Sequence, residues 1–158
     1  SLNLNIQNLD LAELVKMRCE TMRPMTSRQK VELSVVSPPR LLVISADPDR
    51  ISQVLDNLLA NAIRHSPMDS TVMIAIQPKD NGVECSVSDS GAGIPVKHLP
   101  FIFDRFYRVD ASRQHSGDGA GLGLAITQAI IQAHGGNITV RSSDGMAYFE
   151  FYLPDQES

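Results

Sequence analysis

The chain has 158 residues, 42% of them hydrophobic and 20% charged, which suits one domain with a real core and excludes a disordered segment. Its formal net charge of −4 argues against a dedicated nucleic-acid binder, though it leaves room for a local phosphate site. Cys19 and Cys85 lie far apart without CxxC spacing and read as reduced, buried thiols, and no apolar run approaches the ~20 residues of a membrane span.

The first residues, SLNLNIQN, are polar and read as a linker over 1–8. They carry no initiating methionine and no signal peptide, which suggests a piece of a longer protein, so the absence of a span says nothing about the parent. LDLAELVKMRCETMRPMTSRQK has apolar residues at near-helical spacing, with Asp10 as N-cap and Glu13 completing a capping box. VELSVV and LLVIS read as two strands joined by an SPPR turn. Asp47 caps a second helix with Pro48 at its first position, and Pro67 ends it near His65. STVMIAIQP and VECSVSD form a hairpin through KDNG. Residues 90–118 are a long irregular segment with one aromatic cluster, FIFDRFYR, and read as a functional loop or lid. LGLAITQAIIQAHGG is a third helix, and NITVRSS and AYFEFYLP are two closing strands. This order predicts an α+β fold: a two-layer sandwich with a mixed, largely antiparallel sheet and three helices on one face.

The second helix carries NLLANAIRHS. Ile51, Leu55, Leu58, Leu59 and Ala62 cluster on one side of it, while Asn57, Asn61 and Arg64 fall within roughly 60° of each other on the other, with His65 at the margin. A merely solvated face would favour Glu and Lys over Asn, which disfavours helix. An Asn amide offers a metal one hard oxygen without added charge, which suits Mg²⁺ beside a polyphosphate, and Arg64 would reach a phosphate oxygen.

Two glycine-bearing stretches follow. In DSGAGIP, Asp89 ends a strand and could accept from an amino group such as that of adenine, while Gly91 and Gly93 permit close backbone approach. In GDGAGLGLAI, Gly117, Gly119, Gly121 and Gly123 precede a helix, whose free N–H groups suit phosphate. A Walker A loop is excluded because the chain has no Gly-Lys pair, and the GxGxxG fingerprint fails at Leu124 and Ile126.

Taken together, NLLANAIRHS, DSGAGIP, FDRFYR and GAGLGL resemble the N, G1, F and G2 boxes of the ATP-binding catalytic domain of sensor histidine kinases. That family is grouped with DNA gyrase B, Hsp90-type chaperones and MutL. The resemblance covers about residues 9–154, with the lid at about 96–118 and residues 155–158 as a tail. It implies ATP and Mg²⁺ as cofactors. Asn57, Asn61 and Arg64 would form the catalytic face, with Asn61 holding Mg²⁺, Asn57 assisting and Arg64 on the phosphates. His65 would pack against the adenine and Asp89 would accept from its amine. Gly91, Gly93 and Ile94 would shape the adenine pocket, and Phe103 and Phe106 would anchor the lid. Gly119, Gly121, Leu122 and Gly123 would wrap the triphosphate.

The chain departs from the family's pattern in two places. The third glycine box reads DGMAYFEF, with Ala147 where the family often has a hydroxyl, which puts that box in doubt and would weaken ATP binding. None of His65, His98, His115 or His134 stands in the sequence context of a phosphoacceptor. The resemblance therefore implies partners: a dimerisation and phosphoacceptor domain of the same protein, and a response regulator downstream. The parent would be a homodimeric inner-membrane protein of a bacterium, with this domain in the cytoplasm and monomeric when isolated. The stretch from Phe103 to Ile126 looks like that of kinases responding to heavy metals. Within the wider group, hydrolases carry Glu where Asn57 stands. Asn accepts no proton at neutral pH, so the residue favours a kinase over an ATPase.

Overall fold

The computed structural model describes residues 2–91, 93–107 and 122–155. Its main sheet has five strands in the order β2-β4-β5-β7-β6: Glu32–Val36 (β2), Thr71–Lys79 (β4), Gly82–Asp89 (β5), Asn137–Ser143 (β6) and Met146–Pro154 (β7). Only β2 and β4 run parallel; the other neighbours are antiparallel. One sheet face carries Val72, Ile74, Val83, Cys85, Val87, Phe149 and Phe151 into the core. The sheet is mixed and largely antiparallel, as the runs of strands and tight turns predict. The β4–β5 turn is the expected one, with Asp80 taking the left-handed conformation at φ 51°.

The helices are Leu11–Thr21 (α1), Arg23–Gln29 (α2), Pro48–His65 (α3) and Leu122–Ala133 (α4). The helix read from residue 10 onward is broken in two at Met22. Pro24 has no N–H to continue the ladder and sits instead in the first turn of α2. The paired strands read around SPPR also separate. Val43–Ala46 (β3) leaves the main sheet and pairs antiparallel with Gln7–Asp10 (β1), so Gln7 and Asn8, within the polar start of the chain, already belong to the fold. The prolines at 38 and 39 donate no hydrogen bonds, and the parallel partner of β2 needs a crossover helix, which α3 supplies.

Helix α3 buries Ile51, Val54, Leu55, Leu58, Leu59, Ala62 and Ile63. It touches both α1 and α4. Arg18 of α1 makes a two-bond contact with Asp56 of α3, at 2.9 and 2.8 Å. Burial pushes the Cys19 thiol up to about 11 and the Cys85 thiol higher still, so neither is a thiolate nucleophile at neutral pH.

The start of α3 is fixed by Asp47. Its carboxylate accepts from the N–H groups of Asp49 (3.0 Å), Arg50 (3.2 Å) and Asn5 (2.9 Å). Burial alone would raise its pKa, but these three donors, together with nearby His134, outweigh burial and hold it below the usual range. A depressed carboxyl stabilises the fold above its unfolded pKa of about 3.9 and loses that contribution as pH falls through the folded value. Asp47→Ala is therefore expected to cost about 1–2 kcal/mol near neutral pH and progressively less in acid. Urea melts of both proteins at two pH values check this.

Candidate functional site

The polar stripe of α3, the end of β5 and the start of α4 meet at one end of the sandwich. Asn57 faces α4: its Nδ2 donates to the Gly123 carbonyl at 3.2 Å and to Thr127 Oγ1 at 3.3 Å. Thr127 Oγ1 in turn donates to the Gly123 carbonyl at 2.8 Å. One turn on, the Asn61 side chain is half-buried and has no hydrogen-bond partner among the described residues. Arg64 follows on the same face, half-buried, and His65 is exposed with Nδ1 2.8 Å from the Asn61 carbonyl.

Asp89 lies at the end of β5 and is only 3% exposed. Its one described donor is the Gly91 N–H at 3.1 Å. Burial raises its pKa, opposed by that hydrogen bond and by nearby His65. Gly91 brings this loop onto the end of α3, since a Cβ there would stand 2.4 Å from the His65 carbonyl oxygen. Gly93 is left-handed at φ 76°, and the next N–H, that of Ile94, donates to Ser142 Oγ at 2.9 Å. Asp89, Ala147 and Ser142 lie in one row across β5, β7 and β6. The missing hydroxyl at Ala147 thus has a neighbour on the next strand, which holds the glycine loop.

Of the two lid aromatics, Phe103 packs edge-on against Phe149 of the core, with ring centroids 6.1 Å apart. Phe106 is 62% exposed, with Arg105 over its ring. Between Pro95 and Ile102 the chain forms a short 3-10 helix, and His98 Nδ1 meets the Tyr107 hydroxyl beyond it. Gly119 and Gly121 lie outside the described residues. Leu122 opens α4 and Gly123 follows it, so the described end of the glycine stretch is a helix N-terminus facing Asn57.

The site therefore brings together Asn57, Asn61, Arg64, His65, Asp89, Gly91, Gly93, Ile94 and Gly123. Sequence reasoning missed Thr127 and Ser142. Thr127 stands one helical turn after Gly123, which predicts a bond back to that carbonyl, but its contact with Asn57 comes only from the fold. The donor set suits a magnesium polyphosphate: unpaired neutral amide oxygen, an arginine, and a helix N-terminus for anionic oxygens. At the other end, a buried carboxylate with a spare acceptor suits an amino group.

Residues 46–157 match the family described as histidine kinase-, DNA gyrase B-, and HSP90-like ATPase. The chain is 43% identical over 136 residues to the sensor histidine kinase WalK of Bacillus subtilis, covering 84% of this chain and 22% of that protein. It is 36% identical over 148 residues to the sensor histidine kinase CusS of Escherichia coli O157:H7, covering 94% and 30%. Among solved structures, full-length ShkA in complex with AMPPNP superposes with a TM-score of 0.86 at 30% identity, over 99% of this chain and 32% of that one. The nucleotide-free catalytic domain of the histidine kinase ThkA gives 0.85 at 27% identity, over 96% and 97%. The chain spans less than a third of the length of WalK and CusS.

Proposed function

The chain belongs to the histidine kinase-, DNA gyrase B-, and HSP90-like ATPase family, and on that premise we propose that it is the ATP-binding catalytic domain of a two-component sensor histidine kinase. It binds Mg-ATP and passes the γ-phosphate to a histidine on a separate dimerising domain of the parent. The observation that carries this reading is the closure of the Asp89 loop, through Gly91, onto the end of the helix that bears Asn57 and Asn61.

The roles proposed for the residues are these. Asp89 accepts from the adenine amine, Gly91, Gly93 and Ile94 wall the ring, and His65 covers its edge. Asn61 would hold Mg²⁺ through its amide oxygen, and Asn57 would add its own. When bound, the ion would neutralise charge on the phosphates. Arg64 holds a phosphate oxygen, while Gly119, Gly121, Leu122 and Gly123 offer backbone N–H groups to the rest. Phe103 anchors the lid through its contact with the core, and Phe106, exposed beside Arg105, is the second anchor. Asn57 takes up no proton, so water near the γ-phosphate is not activated and ATP is kept until a histidine is presented. Catalysis rests on position and charge rather than on a base.

The rest of the parent follows in outline. It is a homodimer anchored in the inner membrane of a bacterium, with this domain in the cytoplasm and a response regulator downstream. Residues 103–126 extend the proposal to a heavy-metal stimulus.

The test is phosphotransfer. The chain is mixed with the dimerising domain of its parent and γ-labelled ATP. Label is expected on that domain in an acid-labile, alkali-stable form, with slow hydrolysis by the chain alone. Rapid hydrolysis without the acceptor would make it an ATPase, acid-stable label would make it a serine kinase, and no nucleotide binding would leave an interaction module.

A further inference from the structure

We propose that Thr127 is a positioning residue that, with the Gly123 carbonyl, locks the amide of Asn57 so that its Oδ1 is presented to the metal side of the site. The inference rests on the nucleotide reading above. The orientation follows from donor and acceptor counting. A carbonyl oxygen only accepts, so the Asn57 atom 3.2 Å from the Gly123 oxygen is the amide nitrogen. The hydroxyl hydrogen of Thr127 is also committed to the Gly123 carbonyl, at 2.8 Å, so its oxygen is left to accept from the same amide nitrogen at 3.3 Å. Two acceptors thus hold the nitrogen on this side, and a flipped amide would set Oδ1 against the Gly123 carbonyl oxygen. Its Oδ1 keeps its acceptor capacity and has no partner among the described residues.

Thr127 is fully buried, so no water replaces it as the acceptor. The Asn57 amide lies directly over Gly123, where a Cβ would sit 3.7 Å from Asn57 Cγ in ordinary contact. The triad also ties α3 to the first turn of α4. Asn57 is thus held by a residue four positions beyond the last glycine, outside every motif that the sequence displays.

Nucleotide affinity of Thr127→Val and Thr127→Ser is measured by calorimetry with a non-hydrolysable ATP analogue, once with Mg²⁺ and once with EDTA. Val keeps the shape and removes the hydroxyl. It is expected to lose roughly tenfold of the affinity seen with Mg²⁺ and none of that seen with EDTA, and Ser is expected to restore it. Equal weakening in both conditions, no change, or failure of Ser to rescue would each overturn the assignment. Wild-type protein is measured alongside: lack of a Mg²⁺-dependent gain there would strike the functional reading itself. Proton exchange at the Asn57 side-chain amide, read by NMR on the nucleotide-free wild type, needs no variant. Slow exchange of the proton facing Gly123 and Thr127 is expected, and fast exchange of both protons would overturn the lock.

Discussion

Asp89→Asn is expected to weaken nucleotide binding by about 2–3 kcal/mol, roughly thirty- to a hundred-and-fifty-fold, while making the nucleotide-free protein slightly more stable. The two effects have one cause. Asp89 is buried with a single described donor, the Gly91 N–H, so its carboxylate is under-solvated until an amino group arrives. Burial raises its pKa, so the empty fold disfavours the charged form more than an unfolded chain does. For a raised carboxyl, the fold gains stability as pH drops through the raised value and carries a cost above it. Removing the charge removes that cost. An adenine amine donating to the carboxylate favours the ionised form, so binding lowers its pKa. Wild-type affinity should therefore fall as pH drops through a window lying above the ordinary aspartate range, and Asp89→Asn should abolish that slope. Calorimetric titration of both proteins from neutral to mildly acidic pH reads all of this. Equal affinity for the two proteins would mean that adenine is not read at Asp89.

Much of the fold was legible because local chemistry and tertiary packing agree. Helix α3 begins at Asp47-Pro48 and ends before Pro67, and its apolar stripe is the buried one. The KDNG turn sets the β4–β5 register, and the alternation of AYFEFYLP matches the burial of β7. Failures occur where a residue's role is set by something distant in sequence. Nothing local tells β3 to leave β2 for β1, since both are short β-branched runs and the deciding partner lies more than thirty residues away. The helix break at Met22 was written in Pro24, but Met22 and Met25 sustain the apolar spacing across it. In the site, residues carried by boxes were found, and residues that hold them were not. Ser142 touches the Asp89 loop from two strands away, and Thr127 touches Asn57 across two helices. Side-chain oxygens that accept from distant partners have no period and no motif.

Gly91→Ala and Gly136→Ala are expected to separate binding from stability, although each adds the same methyl group. Neither glycine has a left-handed backbone, so the argument is steric alone. At Gly136 a Cβ would stand 1.9 Å from the Tyr152 carbonyl oxygen and 3.3 Å from Ile131 Cγ2, inside the turn that seats α4 on β7. The severe clash is with the backbone of a packed strand, which leaves no cheap adjustment, and a loss of about 3 kcal/mol in stability is expected. At Gly91 the clash is with the His65 carbonyl, 2.4 Å away, where α3 ends. That end is held: the Ser66 hydroxyl donates to the Ala62 carbonyl at 2.7 Å and the Ser66 N–H to Ile63 at 3.3 Å. The loop must therefore give way, and it takes the Gly91 N–H off Asp89 as it goes. Loops move at less cost than packed strands, so stability should fall by only about 1 kcal/mol. Nucleotide affinity should fall at least tenfold, because the wall of the adenine pocket and the one described donor to its carboxylate are displaced together. Thermal melts and calorimetry on the two variants show which occurs. If Gly91→Ala bound nucleotide like wild type, the seam between the loop and α3 would not border the pocket, and the place of adenine would have to be sought elsewhere on the polar face of α3.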